Sequence, residues 1–218
     1  MSARIVFDLD GTLIDSVPDI HLAVSLLLQE QGLAPLDIAT VTSFIGNGLP
    51  HLAKLVMEQS GIAPAHHPKI TARLMQHYDA VNGRLTSPYS GTLDALKALK
   101  TSGHRLAICT NKPEAPARTI LERVGMTGFD SIIGGDTLSQ RKPDPAPLHA
   151  AFEALGEGQM IYVGDSEVDA ETAYRAAVPF FLFTEGYRKT PVVELPHRRS
   201  FSVFSDLPGL VDALLKEM

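Results

Sequence analysis

The chain has 218 residues, 44% of them hydrophobic and 20% charged, with a formal net charge of −6; at this length about 70% of the unfolded surface is buried and one core begins to become two. An acidic balance with no basic run longer than a pair such as Arg198-Arg199 argues against a nucleic-acid partner, and a single cysteine, Cys109, excludes an internal disulfide and a cysteine-built metal centre. No apolar stretch reaches the roughly 20 residues of a membrane span, and the first residues meet an acidic motif too soon for a signal peptide, so a cytoplasmic enzyme with no membrane partner is expected.

Arg4 to Phe7 reads as the start of a buried strand, yet it runs straight into Asp8-Leu9-Asp10-Gly11. Residues two apart on an extended chain point the same way, so Asp8 and Asp10 address one spot, and Gly11 allows the turn that leaves the strand. An isolated Asp-x-Asp-Gly is also ordinary turn chemistry. Two adjacent acids repel unless a cation or proton lies between them, so the rest of the chain must decide.

After Asp15 the pattern turns helical. Ser16 and Asp19 resemble a capping pair before the stripe Ile20, Val24, Leu27 and Leu28, which Gly32 closes. Gly46-Asn47-Gly48 precedes a second helix, and Ile70, Leu74, Tyr78 and Val81 mark a third. With no convincing strand before Tyr89, residues 16–88 are expected to form an all-helical insertion, with residues 1–15 and 89–218 making the core. From Gly91 helices and strands alternate: strands at Arg105–Thr110, Ser131–Gly134, Met160–Gly164, Pro179–Phe183 and Phe201–Phe204, helices at Ala115–Val124, Pro145–Leu155, Asp169–Ala177 and Leu207–Leu215. That rhythm predicts an α/β fold, a doubly wound parallel sheet of the Rossmann-like kind with a helical cap inserted. Ligands of such sheets sit beyond the carboxyl ends of the strands, at the point where strand order reverses.

The strand ends carry chemistry. Thr110, Asn111 and Lys112 offer a hydroxyl, an amide and free backbone N–H groups, the parts that hold a phosphate; a plain helix cap would look similar. Lys142 lies beside Pro143, suited to holding an ammonium over an anion, although surface lysines are common. Asp165 and Asp169 form a second acidic group, and together with Asp8 and Asp10 it would repel itself strongly without a metal. His66-His67 diverge as neighbours and read as solvated loop, and Cys109, Met57, Met75 and Phe180-Phe181 read as core.

Asp8-Leu9-Asp10-Gly11-Thr12-Leu13, Thr110, Lys142 and Gly164-Asp165-Ser166-x-x-Asp169 resemble, in order, the four signature motifs of the haloacid dehalogenase-like hydrolases. Phe44-Ile45-Gly46-Asn47-Gly48, Cys109 to Glu114, Gly134-Gly135-Asp136 and Lys142 to Leu148 resemble more narrowly the phosphoglycolate phosphatases of bacteria. The resemblance implies a phosphatase acting on a small phosphate ester through an aspartyl-phosphate: Asp8 as nucleophile, Asp10 as general acid and base, and Thr110, Asn111 and Lys142 on the phosphoryl oxygens. It implies Mg²⁺ held by Asp8, the Asp10 carbonyl and Asp165, with Asp169 orienting Lys142 or metal-bound water. Gly46-Asn47-Gly48 would be the cap loop that enters the site. A substrate carboxylate would meet Lys112, ahead of Arg188, Lys54 and Arg73. The chain would act as a monomer or homodimer. A β-phosphoglucomutase-like isomerase, a pyrophosphatase and a broad sugar-phosphate phosphatase keep the same motifs. A metal-free dehalogenase has no use for Asp10 with Asp165, and a non-enzymatic module would be expected to lack one of the four central residues.

Overall fold

The computed structural model describes residues 2–217. The chain opens with β1 (Ala3–Phe7), passes through a two-residue strand β2 (Ile14–Asp15), and enters four helices: α1 (Val17–Glu30), α2 (Ile38–Thr42), α3 (Leu49–Ser60) and α4 (His67–Val81). It returns through β3 (Ser87–Pro88) to α5 (Thr92–Thr101), β4 (Arg105–Cys109), α6 (Glu114–Arg123), β5 (Ser131–Ile133) and α7 (Ala146–Ala154). β6 (Gln159–Gly164), α8 (Glu167–Ala176), β7 (Phe180–Phe183), β8 (Arg199–Phe201) and α9 (Leu207–Lys216) complete it.

Six strands form one parallel sheet in the order β5-β4-β1-β6-β7-β8. β1 takes a central position because Ile5, Val6 and Phe7 are apolar on both faces and wholly buried. The side chains alternate: Ile5 and Phe7 join Ile108, Val163 and Phe183 in the core shared with α5, α6 and α9, while Val6 joins Ala107, Tyr162 and Leu182 beneath α7 and α8. The chain winds outward from β1 to β4 and β5, then returns to β6 on the other side of β1. That reversal opens a crevice at the carboxyl ends of β1, β4 and β6.

The inserted helices have a core of their own, in which Val24, Leu27 and Leu28 of α1 pack with Leu52 and Val56 of α3 and Ile70 and Leu74 of α4. Where the sequence suggests no strand, β2 and β3 pair antiparallel, Ile14 opposite Pro88 and Asp15 opposite Ser87. Two residues are too few to show alternation, and the five-residue α2 escapes the periodic pattern for the same reason. Ser16 does not cap α1: no side-chain hydrogen bond is made there. Asp19 is instead drawn across to the returning linker, accepting from the N–H groups of Gly83 (2.8 Å), Leu85 (2.9 Å) and Thr86 (3.1 Å) and from the Thr86 hydroxyl (2.6 Å). The first turn of α1 is thereby tied to the returning linker. α8 starts ahead of Asp169 because Ser166 and Asp169 form a reciprocal capping box, and β8 stops at Phe201, before a short turn. No described helix is long and apolar enough to cross a membrane.

Candidate active site

Asp8 continues β1, its N–H donating to the Val163 carbonyl (2.9 Å), and so arrives at the crevice. Gly11 turns the chain with φ +88°, and a Cβ there would stand 2.5 Å from Asp165 Oδ2. Only glycine permits both the turn and the approach of Asp165. Lys142 Nζ lies 2.9 Å from Asp8 Oδ1 and donates to Asp169 Oδ1 (2.7 Å) and the Tyr162 hydroxyl (2.9 Å). Asp169 also accepts from the Tyr162 hydroxyl (2.6 Å), the Ser166 hydroxyl (2.6 Å) and the N–H groups of Ser166 (3.1 Å) and Asp165 (3.3 Å). Burial opposes its ionisation, yet Lys142 and these donors win and hold the Asp169 carboxyl below its ordinary value. Asp165 accepts from the Thr12 hydroxyl (2.6 Å) and the Tyr187 N–H (2.7 Å).

Oxygens of Asp8, Asp165 and Asp169 lie within 4.8 Å of one another. Burial pushes Asp8 up to about 7, against the pull of Lys142, and burial with the charges of Asp169 and Asp8 pushes Asp165 well above the carboxylate range. Asp8 Oδ1 is buried and accepts no well-formed hydrogen bond, although the Lys142 ammonium is near. An array of hard oxygens that ionises reluctantly by itself fits a divalent cation such as Mg²⁺. Asp169 has its lone pairs occupied, so Asp8 and Asp165 are the side chains with capacity to hold one.

Beyond β4, Thr110 is fixed by its N–H to the Ile133 carbonyl (3.0 Å), and its hydroxyl accepts from the Lys112 N–H (3.2 Å). Asn111 Nδ2 donates to the carbonyls of Lys142 (3.1 Å) and Gly46 (3.1 Å), joining two core loops to the cap loop. Lys112 reaches Asp10, with Nζ 3.0 and 3.2 Å from its two carboxylate oxygens, and also donates to the Tyr78 hydroxyl of α4.

These parts surround a cavity of about 340 Å³. Asp8, Asp10, Thr110, Asn111, Lys112 and Asp165 line its core side; Gly46, Asn47, Gly48, Leu52, Leu74 and Tyr78 line its cap side. Lys142 and Asp169 are not in the lining and stand behind Asp8. Met75, read from sequence as core, lines the cavity instead, because α4 turns part of its apolar stripe toward the site. Of the four cations considered for a substrate carboxylate, Lys112 alone lines this cavity. Lys54 pairs with Glu58 and Arg73 with Glu30 on exposed helix faces, and Arg188 donates to the Thr184 carbonyl.

Four tyrosine and threonine roles were not visible in the sequence. Thr12 steadies Asp165; Tyr162 sits beneath Lys142; Tyr78 crosses from the cap. Tyr187 accepts from the N–H groups of Ser16 (2.8 Å) and Val17 (3.2 Å) and donates to Asp15 Oδ1 (2.8 Å). A lone hydroxyl in the otherwise aliphatic β6 was the one available signal for Tyr162; nothing local marks Tyr187.

A parallel sheet that delivers a buried aspartate to its switch point, backed by a lysine and faced by a second carboxylate, has the build of an α/β hydrolase site with oxygens that suit a divalent cation. The comparisons narrow the class. The family described as haloacid dehalogenase-like hydrolase matches residues 5–183, and the chain belongs to it. It is 52% identical over 214 residues to a phosphoglycolate phosphatase of Cereibacter sphaeroides, covering 97% of this chain and 98% of that one. A phosphoglycolate phosphatase of Rhodobacter capsulatus is 43% identical, at 97% and 98% coverage. The crystal structure of a predicted phosphoglycolate phosphatase from Haemophilus somnus superposes with a TM-score of 0.90 at 28% identity, covering 95% of this chain and 97% of that one.

Proposed function

We propose that the protein is a Mg²⁺-dependent phosphatase whose substrate is 2-phosphoglycolate. The observation that carries this is the buried Asp8–Lys142–Asp169 array, whose Asp8 opens on a cavity also lined by Lys112, a cation to offer a carboxylate beyond the phosphoryl group. The names of relatives at 52% and 43% identity agree with it.

Asp8 attacks phosphorus and becomes an aspartyl-phosphate, splitting one hard displacement into two. Lys142 orients Asp8 and balances charge gathering on the transferring oxygens, while Thr110 and Asn111 bind those oxygens. Asp10 gives a proton to the leaving alkoxide and later takes one from the attacking water. Asp169 is a positioning residue that acts through Lys142. Asp8, Asp165 and the Asp10 carbonyl would hold Mg²⁺, which when bound screens the carboxylates from the phosphate. Residues 16–88 form the cap that covers the site and excludes water, with Gly46-Asn47-Gly48 at its edge.

Phosphate release from phosphoglycolate, pyrophosphate, hexose phosphates and nucleotides, with Mg²⁺ and with EDTA, is the test. The expected result is a preference for phosphoglycolate that EDTA abolishes and Mg²⁺ restores. A higher kcat/KM on hexose phosphates or pyrophosphate removes the substrate assignment; full activity in EDTA removes the metal.

A further inference from the structure

Lys112 and Tyr78 come from different parts of the chain and are both nearly enclosed, at 7% and 4% exposure. The Lys112 ammonium lies 4.6 Å from the centre of the Tyr78 ring and donates to its hydroxyl oxygen. The phenol oxygen therefore acts as an acceptor, and among the described residues its own proton has no acceptor. Burial pushes this phenol up to about 12, so it keeps that proton at neutral pH. Around the pair the cap wall is apolar: Ile20, Ala23, Leu52, Leu74 and Met75 line the same cavity. The phenol of the cap thus meets the Lys112 ammonium of the core, which also holds the Asp10 carboxylate at 3.0 and 3.2 Å.

We propose that Tyr78 and Lys112 together form the carboxylate subsite, with the phenol as the specificity-determining donor supplied by the cap. This rests on the reading of the substrate as a carboxylated phosphomonoester. One carboxylate oxygen takes the phenol proton in a hydrogen bond and the other faces Lys112, while the phosphoryl group lies over Asp8. An ester whose leaving group ends in a methyl leaves that donor without a partner in an apolar surround, which is how a site built for a polar group rejects its apolar analogue. The arrangement also makes recognition conditional on the cap, because Tyr78 travels with α4 and Lys112 with the core.

The experiment compares kcat/KM for 2-phosphoglycolate with kcat/KM for ethyl phosphate, which has the same carbon count and no carboxylate. Wild type, Y78F and K112M are assayed with Mg²⁺. The expected result is a wild-type ratio well above one that falls about 10-fold in Y78F and further in K112M, as loss of a charge-assisted hydrogen bond dictates. Either variant serves if the other does not fold, which far-UV circular dichroism reports. Ratios within about twofold of wild type, whatever the absolute rates, overturn the subsite. A wild type with no preference for phosphoglycolate overturns the substrate reading and the subsite together; a wild-type preference with unmoved variants overturns the subsite alone.

Discussion

Two buried lysines serve the cavity: Lys142 behind Asp8, beneath its floor, and Lys112, which meets Tyr78 of its roof. Lys142 is held by Asp8, Asp169 and Tyr162, which stand at the carboxyl end of β1, on α8 and on β6, all packed in the core. Lys112 is held by Asp10 of the core and by Tyr78 of α4 in the cap. Burial works against charge on both ammoniums, and the facing aspartates outweigh it and raise both above the ordinary lysine value. The difference lies in completeness. Asp169 on the floor has donors on both oxygens before any substrate arrives, whereas Tyr78 on the roof keeps a proton to give. Groups that would serve any phosphomonoester lie wholly within the sheet's own core, and the groups that would choose among them are shared between that core and α4.

The sharpest way to break the floor is D8N, which removes the nucleophile's charge and keeps its shape. It should lower kcat by on the order of 10³-fold or more with an unchanged circular dichroism spectrum, and near-normal turnover would remove Asp8 from the proposed role. D169N leaves Lys142 and Tyr162 facing a neutral amide in a wholly buried place. It should cost about 3 kcal/mol in urea unfolding, and an unmoved midpoint would contradict a preassembled floor. Y187F sharpens the roof side of the comparison. Loss of its hydroxyl frees Ser16, Val17 and Asp15 while the Tyr187 N–H still holds Asp165. KM should rise roughly threefold while the Mg²⁺ concentration for half activation stays put.

The smallest effect lies outside both regions. His104 Nδ1 accepts from the Ala3 N–H (3.0 Å) at the start of β1, and burial holds the ring below its ordinary value of 6.5. The unfolded chain therefore binds the proton more readily than the folded one, so this contribution is complete above pH 6.5 and lost as pH falls below it. H104Q should flatten the acid side of the stability profile measured by thermal unfolding.

The core was legible because β1, β4 and β6 are largely apolar and run directly into Asp8, Thr110 and Asp165. Asp8, Thr110 and Asp165 could be placed on one side of the sheet from that pattern, since parallel topology sends every strand end there, whereas Lys142 lies in the long loop after β5. The links between loops were not legible. Asp19 looked like a helix cap because capping chemistry is local, yet its acceptors are used 64 to 67 residues away. Met75 and Tyr78 fell on an apolar helical stripe, and periodicity cannot say that the lower part of a stripe leaves the cap's own core to face a cavity. Lys112 was the favoured carboxylate partner on position alone; that its ammonium already holds Asp10 required coordinates.

The ribbon of β2 and β3 sets where the polypeptide leaves the sheet and where it rejoins it. Antiparallel partners stand about 5 Å apart, so the exit and re-entry points are practically one address. The helices between them are therefore carried on a single stalk, and their number and length are free of the spacing of the strands beneath.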